Sequence, residues 1–168
     1  MSSNGFVPLD WEELPDSEMQ KRARVLFENM NKRRTTRHFS SRHVPKELIE
    51  TAIMCGSTAP SGAHLQPWTF VAVSNQELKI KMREAAEIEE RKTYSERMPE
   101  AWQEVLEPLG TDAIKEHMTD APWIVVLFRQ SKRVRGNGEV GPTYYSTESC
   151  GIAAGMFIHA IHLSLIHI

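Results

Sequence analysis

The sequence predicts an α+β fold in which helices flank a central sheet. Two observations carry this. Two short, continuous apolar runs, "WTFVAV" at 68–73 and "WIVVLFR" at 123–129, have the length and β-branched content of strands buried on both faces. Around them lie longer segments with apolar residues at helical spacing, bounded by capping residues and prolines. A length of 168 residues fits one domain, 1–168, able to bury about 70% of its unfolded surface.

The elements follow in order. "PDSEMQKRARVLFENMNKRR" opens with a capping box at Ser17 and Gln20, and Met19, Ala23, Leu26, Phe27 and Met30 fall at helical spacing. "VPKELIETAIMCG" predicts a second helix, with Pro45 in its first turn and Gly56 as its C-cap. The loop "TAPSGAHLQP" then leads into the first strand, and Pro67 keeps the chain extended there. "SNQELKIKMREAAEIEERKTYSERMPE" predicts a long polar helix, capped by Ser74 and Glu77 and stopped near Pro99. "GTDAIKEHMTDAP" gives a short helix, and the second strand follows it. "SKRVRGNGEVGP" reads as a loop. From Tyr144 to about His162 the chain predicts an apolar helix studded with Gly151, Ala153, Ala154 and Gly155. Two strands alone make a barely stable sheet. With no stop signal after the last helix, the expectation is a chain that lacks part of its sheet.

Composition narrows the function classes. Forty per cent hydrophobic and 25% charged residues describe a globular chain. A net charge of −2 and a pI near 6.4 give no global attraction to nucleic acid or anionic membranes. Cys55 and Cys150 are too few for a disulfide framework and read as free thiols in the core. No run of 18 apolar residues is present to span a membrane, and "MSSNGFVPLDWEELPDSE" lacks the regions of a signal peptide. His159 and His162 are three apart in an apolar helix without acidic or cysteine partners nearby, which favours packing over a metal. "GNGEVG" lacks the strand–turn–helix context of a dinucleotide site.

Two stretches carry candidate chemistry. "NKRRTTR" sets Arg33, Arg34, Thr35 and Arg37 just past the first helix. Guanidiniums and a hydroxyl converging from a turn suit a phosphate, through paired and charge-assisted hydrogen bonds. A solvated basic helix end, favoured by the helix dipole, explains the same residues. In "APSGAHLQPWTF", Ser61 and Gly62 permit close approach of a ligand. A loop that only leads into a strand is the alternative. His64 has the same two readings. Nucleic acid finds no second basic patch or aromatic stripe.

Together "RRTTR" and "APSGAHLQPWTFV" resemble the FMN-dependent nitroreductase superfamily, with its Arg-rich phosphate motif and Pro-Ser…Gln-Pro-Trp loop. The variant Ser-Gly-Ala-His, with "NKRR" before it, is similar to the iodotyrosine deiodinase branch of that superfamily. Glu90 and Tyr94 in "EERKTYSERM" and Lys115 in "DAIKEHM" match that branch's clamp for the amino-acid end of its substrate. The resemblance covers residues 6 to 162. Glu90 and Tyr94, four apart, share one helix face. Glu90 is an acceptor for an ammonium, and Tyr94 and Lys115 are donors for a carboxylate. From spacing alone Glu90 would belong to a solvated acidic face, and Lys115 to the surface.

The resemblance implies a nitroreductase-like fold with a central mixed sheet, an obligate homodimer, and FMN bound between subunits. Arg33, Arg34, Thr35 and Arg37 would hold the phosphate and ribityl end; Ser61 and Gly62 would line the ring. A halotyrosine phenolate would stack on the flavin, with the Ala63 N–H donating to its oxygen. Glu90, Tyr94 and Lys115 would grip its zwitterion, the long polar helix closing over it as a lid. Electrons would come ultimately from NADPH, through a separate reductase, to release halide and leave tyrosine. No side chain of the chain itself takes a catalytic role, and no metal is implied. Two other classes compete: a general FMN nitroreductase or quinone reductase, and an inactive truncated fragment. Members of the family continue beyond residue 168, and animal members often carry a membrane anchor. The chain by itself is therefore expected to be poorly soluble and to hold FMN poorly.

Overall fold

Among residues 8–134 and 136–166, which this computed structural model describes, contacts fall into two units, Met1–Arg34 and Thr35–Ile168. Parts of three expectations lie outside the described residues: the first seven residues of the signal-peptide argument, Arg135 of the expected loop, and the last two residues of "LSLIHI".

The first unit contains α1 (Asp16–Asn31). The capping box is absent: Pro15, at φ −58° and ψ 145°, is the N-cap and no side chain caps the helix. The helix therefore starts a residue before Ser17, whose hydroxyl falls inside the first turn. Asp16 and Glu18 suit the positive end of the dipole instead. Pairs at i,i+4, Arg22–Glu18 at 2.9 Å and Arg24–Glu28 at 2.7 Å, add local support of a few tenths of a kcal/mol. None of its residues is buried, the apolar positions included. Within its own unit a single helix has no second element to pack on.

The second unit contains α2 (Lys46–Ser57), a 3-10 turn at Gly62–His64, β1 (Trp68–Val73), α3 (Gln76–Lys92), α4 (Glu100–Leu106) and α5 (His117–Asp120). β2 (Ile124–Arg129), β3 (Lys132–Val134), β4 (Val140–Pro142) and α6 (Ser146–Ser164) follow. β1 and β2 pair antiparallel, Trp68 opposite Arg129 and Val73 opposite Ile124. β3 and β4 form a second antiparallel pair. The expected loop at 131–142 is thus a hairpin, its strands too short to show a period in the sequence.

The strands are not buried on both faces as expected. Side chains alternate across a strand. Trp68, Phe70 and Leu127 pack toward Ala59, Cys150, Ala153 and Met156, while Val71 and Phe128 on the other face stay 40% and 55% exposed. Trp123 precedes β2, and its indole N–H donates to the Val44 carbonyl at 2.8 Å.

Caps differ from expectation where a neighbouring residue fits better. Asn75, not Ser74, caps α3, its side chain accepting the Leu78 N–H at 2.8 Å. α3 ends at Lys92 and widens into a π turn, Thr93–Arg97, before Pro99. α4 follows, in a stretch that carried no expected element. Gly56 is inside α2, and Thr58 is the C-cap. A Cβ at Gly56 would lie 3.0 Å from Phe70 Cζ, 3.1 Å from the Ala153 carbonyl oxygen and 3.1 Å from Phe157 Cβ. The glycine therefore allows α2 to touch the backbone of α6 and the ring on β1. No helix among the described residues is long and apolar enough to cross a membrane.

Gly56→Val should destabilise the chain by about 1–3 kcal/mol, because the backbone carbonyl of Ala153 cannot move aside alone. Gly151→Ala, where a Cβ meets nothing within 4 Å, should be neutral or stabilising by up to about 1 kcal/mol. Chemical denaturation of the two variants compares them directly; equal midpoints would show that the α2–α6 contact has slack.

Candidate active site

Three segments of the second unit carry the candidate residues. The first is the loop between α2 and β1. Ser61 Oγ accepts the Gln66 N–H at 2.9 Å, and the Ser61 carbonyl accepts the His64 N–H at 3.0 Å. These bonds close the loop on itself. Ala63, His64 and Gln66 all have left-handed φ, at 50°, 54° and 47°. Each such residue without glycine's freedom costs on the order of 1–3 kcal/mol, and the surrounding structure must hold it. The holding is visible at both ends. Pro67 is fully buried, and its carbonyl accepts the Gln130 N–H at 2.9 Å and the Cys150 thiol at 3.2 Å. Burial pushes the Cys150 pKa up, which keeps it a thiol donor. A Cβ at Gly62 would come within 2.9 Å of Tyr145 Cδ2 and 3.2 Å of the Tyr144 carbonyl oxygen. Among the described residues the Ala63 N–H has no hydrogen-bond partner.

The second segment is the face of α3 that meets residues 111–121, with its π turn, and the third is the irregular stretch 111–116 ahead of α5. Lys115 Nζ lies 2.7 Å from Glu90 Oε1 and donates to the Asp112 carbonyl at 2.7 Å. The Tyr94 hydroxyl donates to Thr111 Oγ1 at 3.2 Å. Glu90, Tyr94 and Lys115 therefore come together around one helix face and the stretch that crosses it. Glu87, one turn before Glu90, accepts the Lys115 main-chain N–H at 2.9 Å and Arg83 Nε at 2.6 Å. The Lys115 N–H and, after it, the Arg83 guanidinium hold its carboxyl below the ordinary 4.5 of a glutamate.

Lys115 also borders an open cavity of about 460 Å³, whose walls include Thr35, Arg37, Thr111 and His117. Burial, then the charges of Lys115 and Arg37, lower the His117 pKa from 6.5. Arg37 and Lys115 are thus close enough in charge to act on one imidazole. Asp112, Glu116 and Asp120 line the same cavity, which is polar and holds both signs of charge. Such a wall suits an anionic ligand that also carries donors.

Arg33 and Arg34 end the first unit. The Arg34 guanidinium donates through Nη1 to the carbonyls of Asn31 and Arg33, each at 2.7 Å. The first of these is the last carbonyl of α1. Sequence reasoning passed over Glu87, Thr111 and His117. For Glu87 the signal was present, since a position three before Glu90 shares its helix face. For Thr111 and His117 there was none, because their neighbours come from elsewhere in the fold. Among the described residues no group of His, Cys, Asp and Glu is arranged to hold a metal ion.

A model of the Nitroreductase family matches residues 30–163. An iodotyrosine deiodinase from Haliscomenobacter hydrossis is 45% identical over 157 residues, 94% of this chain and 71% of that protein. The relatives from Hydra vulgaris and Homo sapiens, both iodotyrosine deiodinases, are 40% and 39% identical, and the chain spans 57% and 54% of their length. A crystal structure of oxidised iodotyrosine deiodinase bound to FMN and 3-iodo-L-tyrosine superposes with a TM-score of 0.72 at 27% identity, covering 83% of this chain and 70% of that one. An FMN-bound nitroreductase from Bacteroides fragilis superposes at 0.59 with 18% identity, a likeness of fold, over 83% of this chain and 65% of that one. The chain belongs to the nitroreductase family, and within it its sequence stands with the iodotyrosine deiodinases.

Proposed function

We propose that the whole protein is an FMN-dependent oxidoreductase that removes halide from halotyrosines, converting mono- and diiodotyrosine to tyrosine and iodide. The observation that supports this most is the Glu90–Lys115 pair at 2.7 Å, whose Lys115 borders a cavity that Thr35 and Arg37 also line, with the Tyr94 hydroxyl bonded to Thr111 of the same wall. An acid and a base held at that distance are complementary to an amino-acid zwitterion. The ligand's ammonium takes the place of Lys115 on Glu90, and its carboxylate takes Lys115 and the Tyr94 hydroxyl. At 36% and 20% exposure the two side chains are open enough to exchange partners.

The residues present fit an FMN group. Thr35 and Arg37 offer a hydroxyl and a guanidinium from the cavity wall. Arg33 and Arg34, which precede Thr35 in the chain, carry guanidiniums of the kind that suits a phosphate. Ser61 and Gly62 would line the ring, on the loop that Tyr144 and Tyr145 crowd at Gly62. Reduced FMN supplies two electrons, which with a proton replace the carbon–iodine bond by carbon–hydrogen and release iodide. The chain's own contribution is placement. The unpartnered Ala63 N–H, held by a strained backbone, donates to the phenolate oxygen and keeps the ring in its anionic form. α3 and its π turn close over the ligand and exclude water. The active unit is a homodimer, with electrons drawn ultimately from NADPH through a separate reductase.

Arg37→Ala should weaken FMN at least about tenfold, as expected for a lost charged contact. An unchanged titration would remove Arg37 from the phosphate site. Glu90→Gln should weaken 3-iodotyrosine strongly and leave 2-iodophenol nearly untouched, since only the first carries an ammonium. Equal losses would place Glu90 in lid packing. A general nitroreductase would instead keep both ligands and its dye reduction in Glu90→Ala and Lys115→Ala.

His117 gives a pH signature. Its folded pKa lies below 6.5, so its contribution to stability is full above 6.5 and is lost as pH falls through the folded value. An anion bound between Lys115 and Arg37 masks the charges that depress it. In an NMR titration His117 should therefore titrate below 6.5 without ligand and higher once the ligand binds. Insensitivity to ligand would separate the cavity from the site.

A further inference from the structure

We propose that Glu87 is a positioning residue for Lys115: its carboxylate fixes the Lys115 main chain and so presents Nζ to the ligand. This rests on the reading of Lys115 as the donor to a ligand carboxylate. Positions 79, 83, 87, 90 and 94 recur at helical spacing and form one stripe along α3 and its π turn. Every one of them bonds to the stretch 111–121. Lys79 Nζ donates to the carbonyls of Ala121 at 2.6 Å and Thr119 at 3.3 Å. Arg83 Nη1 donates to Thr119 Oγ1 at 3.1 Å, and Glu87 takes the Lys115 N–H. Glu90 pairs with Lys115 Nζ, and Tyr94 donates to Thr111.

The two glutamates one turn apart have separate tasks. Residues 111–115 form no helix or strand, so their N–H groups have no ladder to join. Glu87 supplies the partner at Lys115. Its Oε1 also accepts Arg83 Nε, and its Oε2 lies 3.7 Å from Arg91 Nη1, while its side chain is only 15% exposed. Its Oε1 is thus committed to the Lys115 N–H and Arg83 Nε, and its low exposure keeps it back from a ligand. Glu90 holds only Nζ and can exchange it. Lysine has a long, mobile stem; pinning its backbone at Glu87 and its ammonium at the Asp112 carbonyl leaves it one place to be.

The test compares Glu87→Ala and Glu87→Gln in the full chain. Glu87→Ala removes the acceptor; Glu87→Gln keeps an oxygen for the Lys115 N–H. Glu87→Ala should speed hydrogen exchange at the Lys115 amide and weaken 3-iodotyrosine at least about tenfold, leaving 2-iodophenol unchanged. Glu87→Gln should restore most of both. A Lys115 amide still protected in Glu87→Ala, or equal losses for the two ligands, would overturn the assignment in favour of general packing. If the unsubstituted chain bound both ligands alike, the carboxylate reading would fail, and amide exchange alone would then judge the anchor. Should Glu87→Ala not fold, Glu87→Asp decides: it keeps the charge but withdraws the oxygens by a methylene, so retained amide protection there overturns the proposal and faster exchange supports it.

Discussion

The close approach of α2 to α6 at Gly56 is the contact on which the rest depends. A missing Cβ lets the helix meet the Ala153 carbonyl, the Phe157 side chain and the Phe70 ring at about van der Waals distance. That brings β1 under both helices and buries Trp68, Cys150 and Ala153 together. The end of α2 and the start of α6 then converge on the same loop. From the α2 side the chain enters the Ser61–Gln66 turn; from the α6 side Tyr145, itself left-handed at φ 50°, crowds Gly62. Three left-handed residues persist in that turn because packing and the doubly bonded Pro67 carbonyl hold its ends.

A polar counterpart governs the other side of the unit. α3 has little apolar surface to bury, and it docks through charge and hydrogen bonds along one stripe. Lys79 shows the cost of this arrangement. It is only 2% exposed, burial lowers its pKa, and it is tolerable because two carbonyls accept from its ammonium. The docking holds an irregular stretch in place without a core beneath it. A segment held by exchangeable polar bonds can re-form around a ligand at lower cost than one held by packed side chains.

Chemistry and scaffold are thus divided between two kinds of interaction. The apolar contact fixes the loop that offers a backbone donor at Ala63. The polar stripe fixes Lys115 against Glu90 at the edge of the Thr35–Arg37 cavity. Both arrangements depend on residues set back from them: Gly56 and Pro67 in one, Arg83 and Glu87 in the other.

The sequence by itself determined the two long strands, the main helices and the residue types of the site, because hydrophobic period, prolines and paired motifs are local properties. Trp68–Val73 and the family resemblance of "RRTTR" with "APSGAHLQPWTFV" were legible for that reason. Tertiary structure alone decided which cap residue closes α3, since Ser74 and Asn75 are equally competent in the sequence and only geometry selects Asn75. It decided that 132–134 and 140–142 pair as strands too short to show a period. It also gave Gly56 a packing role in place of a C-cap, because the atoms a Cβ would meet belong to Phe70 on the following strand and to Ala153 and Phe157 on the last helix. The meeting of Glu87 with Lys115, 28 positions apart, belongs to the same class. Spacing within a helix is written in the chain; distance between segments exists only once the chain has folded.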